Sequence, residues 1–98
     1  MQIILTGHQL ELTDAIKQHT EDKFSKLLKH FDKITSIHVV INVEKLRHIA
    51  EATVLIAKDK IFASSEDENM YTAIDSLADK LNTQLVKHKE KLHAYHRD

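Results

Sequence analysis

The spacing of apolar positions along this chain alternates between two residues and about three and a half, and each change of period marks an element. From Gln2 to Thr6, Ile3 and Leu5 share one side of a short strand, which Gly7 and His8 are expected to end. Thr13 is a good helix N-cap, and Asp14 follows in the first turn, where a carboxylate suits the helix dipole. Ile16, Thr20, Phe24, Leu27, Leu28 and Phe31 then recur every three or four residues, which predicts a first helix to about Lys29 or Phe31. Between Ile34 and Glu44 the period drops to two. Ile37, Val39, Ile41 and Val43 alternate with His38, Val40, Asn42 and Glu44, a half-buried strand rich in β-branched residues. Lys45 to Arg47 is expected to turn. Ala50, Ala52, Val54 and Ile56 form the inward side of a third strand, and Lys58-Asp59 links it to a fourth over Lys60 to Ser64, with Ile61 and Ala63 inward. Asp67 or Asn69 caps a last helix, whose apolar face is Met70, Ala73, Ile74, Leu77, Ala78, Leu81, Leu85 and Leu92.

The predicted order is β-α-β-β-β-α, an α+β fold in one domain over residues 1–98. Each helix has a single apolar stripe and each strand one strongly apolar side. Both helices should therefore cover one face of a four-stranded mixed sheet. The first helix is a crossover, so strands one and two should be parallel with a right-handed connection, and the others should follow by hairpins. Ile4, Val40, Leu55 and Phe62 then face away from the helices. Scattered apolar residues on a surface are ordinary, and they are also what a partner-binding face presents.

Composition narrows the function classes. With 42% hydrophobic and 30% charged residues in 98, the chain is that of a soluble globular domain. No apolar run approaches the roughly 20 residues of a membrane helix. Met1 to Leu5 lacks the features of a signal peptide, and there is no cysteine for a disulfide, a thiolate zinc site or a thiol nucleophile. The expected location is the cytoplasm. Ser64 and Ser65 lack a nucleophile elbow, Glu66 to Glu68 suit helix capping, and no glycine-rich phosphate loop is present, so no enzyme is expected. His88, His93 and His96 do not form a recognisable metal-ligand spacing, and no metal or other cofactor is expected.

The net charge of −1 argues against nucleic acid unless the charges are sorted by direction. Some are. His19, Lys23, Lys26 and His30 form one stripe beside the apolar face of the first helix, and Lys80, Lys87 and Lys91 form another on the last helix. Asp75, Asp79 and Glu90 are expected in a different sector, leaving the two lysine stripes to line one groove and neutralise phosphates. Lysine stripes are also what any solvated helix exterior shows, and the residues alone leave both readings open.

The last helix contains Asn69-Met70-Tyr71-Thr72-Ala73-Ile74-Asp75, then Asp79-Lys80-Leu81, Gln84-Leu85 and Lys87-His88-Lys89. This resembles the helix signature of the ribosome hibernation promoting factor family, which includes the ribosome-associated inhibitor protein Y. Gly7 with Leu12-Thr13-Asp14-Ala15-Ile16, Phe24-Ser25-Lys26-Leu27, Phe31-Asp32-Lys33-Ile34 and Ala52-Thr53 extend the resemblance over the whole chain. It implies a fold similar to double-stranded RNA-binding domains, and binding of the small ribosomal subunit in the channel used by messenger and transfer RNA. It implies rRNA contacts for Lys23, Lys26, Lys80, Lys87, Lys89 and Lys91, with Lys17, Lys33 and His30 as further candidates. Thr83 stands where the family usually has arginine, and Asn69 where it has aspartate. The end at Asp98 fits the short form, without a C-terminal dimerising domain. That form implies ribosome modulation factor as the partner needed to pair silenced ribosomes. Two alternatives remain: a protein Y-like inhibitor of single ribosomes that opposes pairing, and a protein–protein module using the open sheet face. No membrane and no small-molecule substrate is implied.

Overall fold

The computed structural model describes residues 2–8, 10–57 and 59–95, with the side chains of 3–8, 10–57 and 59–89. The elements run β1 (Gln2–His8), α1 (Asp14–His30), β2 (Ile34–Glu44), β3 (Arg47–Ile56), β4 (Asp59–Asp67) and α2 (Met70–Tyr95). The α+β architecture is as the pattern predicts, a mixed sheet in the order β1-β2-β3-β4. β1 is parallel to β2, and the other pairs are antiparallel.

The core lies between one sheet face and the two helices. Across the sheet, Ile3, Ile37, Val54 and Ile61 form one inward row, and Leu5, Val39, Ala52 and Ala63 the next. Phe24 and Leu27 of α1 and Ile74, Leu77, Leu81 and Leu85 of α2 close over them, all buried. The buried Thr20 hydroxyl donates to the Ile16 carbonyl at 2.8 Å, which satisfies the one polar group in that stripe.

Three features depart from strict periodicity. Ile34 and Ile37 are both buried although an odd spacing should put them on opposite faces. The β2–β3 register shifts between Ile34 and Ser36, a bulge at Thr35 that restores Ile34 to the core. Gly7 does not end β1, because Gly7 and His8 continue the ladder against Ile41 and Asn42. Leu12 packs back onto that glycine, where a Cβ would lie 3.0 Å from its Cγ and Cδ2. β4 runs past Ser64 to Asp67 because Glu66 and Asp67 find partners in Ile49 and His48 of β3. Polar residues that look like loop are held by the ladder.

The helix starts are capped as their residues require. Thr13 Oγ1 accepts from the Ile16 amide at 3.2 Å. Asn69 Oδ1 accepts from the amides of Tyr71 and Thr72, at 2.9 and 3.2 Å, while Asp67 accepts from the Asn69 amide at 2.8 Å. Asn69 is thus the cap and Asp67 shapes the turn before it. Among the described residues no helix is long and apolar enough to cross a membrane.

Candidate nucleic-acid interface

The topology sorts charge along the long direction of the sheet. α1 follows the end of β1 and α2 follows the end of β4, so both helices start at one end of the domain and finish at the other. His19 meets Tyr71 and Asp75, and Lys23, one turn on, also meets Asp75, as two helices side by side in the same direction do. The end where they start carries Glu11, Asp14, Glu44, Glu66, Asp67 and Glu68, with Lys45 and Arg47 on the β2–β3 hairpin. Arg47 Nε lies 3.6 Å from Glu66 Oε2 there. The end where they finish carries Lys26, Lys29, His30, Lys33, Lys60, Lys87 and Lys89, all exposed, against Asp32 and Asp59. His88 donates through Nε2 to Asp59 Oδ2 at 3.0 Å, tying α2 to the start of β4 at this end.

This sorting answers the objection raised by the net charge. A strand the length of β4, nine residues, separates the ends by about 30 Å. The Debye length at physiological salt is about 8 Å, so a ligand at the lysine end is screened from the carboxylates at the other. The arrangement also suits the dipole of α1, with Asp14 in its first turn and Lys29 and His30 in its last.

The candidate residues therefore divide. Lys26, His30, Lys33, Lys87 and Lys89 meet at one end of the fold, joined by Lys29 and Lys60, which belong to neither helical stripe. Lys29 was visible as a basic residue in the last turn of α1, while Lys60 needed the hairpin to be placed. Lys17 lies in the first turns of α1, away from this end. The side chain of Lys91 lies outside the described residues, as do those of Glu90, His93 and His96.

The two lysine stripes do not line a shared groove. Lys80 Nζ donates to the Ser64 carbonyl at 2.8 Å and Gln84 Nε2 to the Phe62 carbonyl at 3.1 Å, so that flank of α2 overhangs β4. Lys87, two turns on from Lys80, shares that flank. The α1 stripe instead faces the other flank of α2. There Asp75 is neither remote nor neutral in its effect: its Oδ1 accepts from His19 Nε2 at 2.7 Å and lies 3.6 Å from Lys23 Nζ. Asp75 does lie in a different sector of α2 from Lys80, as expected, but that sector meets the basic stripe of α1, and the correction falls on the shared groove. It follows from helix order: with parallel helices in contact, the α2 position facing α1 is opposite the one overhanging β4. Asp79 is exposed.

On the other sheet face, Ile4, Leu55 and Phe62 are exposed and Val40 is half-buried. Ile4, His38, Thr53 and Phe62 form one row there, with Thr6 Oγ1 and His38 Nε2 hydrogen-bonded at 3.1 Å.

Comparison with known proteins places this geometry. The family model for the Sigma 54 modulation protein / S30EA ribosomal protein matches residues 3–93. A ribosome hibernation promoting factor from Azotobacter vinelandii is 52% identical over 93% of this chain and 85% of its own length. The protein of the same name from Escherichia coli is 46% identical over 94% of this chain and 97% of its own. Among solved structures, a ribosomal subunit interface protein from Coxiella burnetii superposes with a TM-score of 0.83 at 34% identity, over 92% of this chain and 99% of that one. The N-terminal domain of Thermus thermophilus Protein Y gives 0.82 at 32% identity, over 90% and 99%. With its fold, its helix motif and its near full-length relatives in agreement, this chain belongs to the Sigma 54 modulation protein / S30EA ribosomal protein family, the family of the ribosome hibernation promoting factors.

Proposed function

We propose that this protein silences idle ribosomes by seating its lysine-rich end on rRNA of the small subunit, in the channel that messenger and transfer RNA would use. The observation that carries the reading is the gathering of Lys26, Lys29, Lys33, Lys60, Lys87 and Lys89 at one end of a chain whose net charge is −1. Each lysine that meets a phosphate releases condensed counterions, so affinity should fall steeply with salt. Lys80 extends this surface along the β4 flank. Lys23 contributes only through the seam it shares with Asp75, and Lys17 stands apart. The chemistry is binding, without a reaction.

We further propose that pairing of silenced ribosomes requires ribosome modulation factor, since a single cationic end engages one particle. A protein Y-like role, silencing single ribosomes and opposing pairing, is the second reading, and the likeness to the Protein Y N-terminal domain supports it.

One experiment tests both levels. Co-sedimentation of the purified protein with small and large subunits should show binding to the small subunit. Replacing Lys26, Lys33, Lys87 and Lys89 together by glutamate should abolish it, with the fold intact by circular dichroism. Retained binding by that variant would refute the lysine-end interface. Gradient profiles with ribosome modulation factor then separate the two roles: more dimers on adding this protein supports promotion, and fewer supports the protein Y-like role.

A further inference from the structure

β4 is an edge strand, and its outer edge is closed by α2. The Lys80 ammonium and the Gln84 amide donate to the outward carbonyls of Ser64 and Phe62. Beside these bonds opens a recess of about 450 Å³ lined by Phe62, Ala63, Ser64, Lys80, Thr83 and Gln84. Phe62 is 54% exposed and lies on the open sheet face beside Thr53 of β3.

The two hydrogen bonds fix Lys80 and Gln84 without exhausting them. An ammonium has three donors and one is used here. The Gln84 amide keeps its second N–H and its oxygen, a donor and an acceptor side by side. No carboxylate lines the recess. Lys60, two residues before Phe62 on the same side of β4, and Lys87, on the Lys80 flank, add exposed cations near its mouth. An extended peptide is poorly suited to this edge, because the carbonyls it would pair with are already occupied. An aromatic plane, an amide with both hydrogen-bonding senses and surrounding cations match the face, edge and phosphates of a nucleotide.

We propose that this recess takes one unpaired base of an RNA strand, stacked on Phe62, with its edge on Gln84 and its flanking phosphates on Lys80 and Lys87. The site rests on the RNA-binding reading above and adds a base contact to it.

The test uses the full chain and whole ribosomes, in two arms. In the first, ribosome binding is measured for the wild type, Phe62→Ala and Phe62→Trp over a salt series. Phe62→Ala should bind about ten-fold more weakly, the size of one base–aromatic stack, with an unchanged salt slope, and Phe62→Trp should retain affinity. In the second, p-azidophenylalanine at position 62 is photolysed on the ribosome and should cross-link to rRNA. Equal binding by the wild type and Phe62→Ala, or a cross-link to ribosomal protein alone, would overturn the base site while leaving the lysine-end reading standing. Failure of the wild type to bind ribosomes at all would overturn both.

Discussion

Asp75 on α2 accepts a hydrogen bond from His19 on α1 at 2.7 Å, and this contact spans 56 positions of sequence to join the two helices. A carboxylate only accepts, so the His19 Nε2 carries the proton in this pair. The Tyr71 ring packs edge-on against the same imidazole, with centroids 5.0 Å apart. Lys23 completes the seam from 3.6 Å.

Asp75→Ala should therefore destabilise the domain, by about 1 kcal/mol or less because the pair is partly exposed to water. Urea unfolding at neutral pH, with and without added salt, measures it. The same substitution removes a negative charge beside Lys23, so ribosome binding at low salt should strengthen. A folded Asp75→Ala protein that binds more weakly would mean that the seam orients the interface.

Lys45 adopts a φ of 57°, the only positive φ at a non-glycine residue among those described. Glu44 pairs with Arg47, so Lys45 and Leu46 form a two-residue hairpin loop. A positive φ at its first position is where a type II′ turn favours glycine. The left-handed region costs an L-residue about 1 kcal/mol, partly offset by the entropy glycine loses on folding. Lys45→Gly should raise stability by about 0.5 kcal/mol, seen as a higher urea midpoint at unchanged m. A lower midpoint would show that the lysine holds the turn by a contact of its own.

Thr83 lies one turn from Lys80 and one from Lys87, and its hydroxyl is turned back to the Asp79 carbonyl at 3.1 Å. It contributes no charge to a flank that otherwise does. Thr83→Arg should tighten ribosome binding and steepen its logarithmic salt dependence by about one. An unchanged slope would place position 83 away from phosphate in the complex.

The order of elements, the α+β class and the inward rows of the sheet were legible in the sequence because burial imposes a period: two on a strand, about 3.6 on a helix. Thr13 and Asn69 were legible as caps because their side chains bond within a few residues of themselves. The lysine stripes were legible as stripes for the same local reason. Whether they converge was not. Lys80 overhangs β4 and Lys23 faces Asp75 because the two helices run in parallel over one sheet face, a relation that no local spacing encodes. The bulge at Thr35 likewise appears only when β2 must match β3 while burying both Ile34 and Ile37. Sequence by itself determined which side chains leave water, since that is a property of each element alone. The tertiary structure decided which charges share a surface, because it brings together residues such as Lys23 and Asp75 whose separation along the chain carries no information about their separation in space.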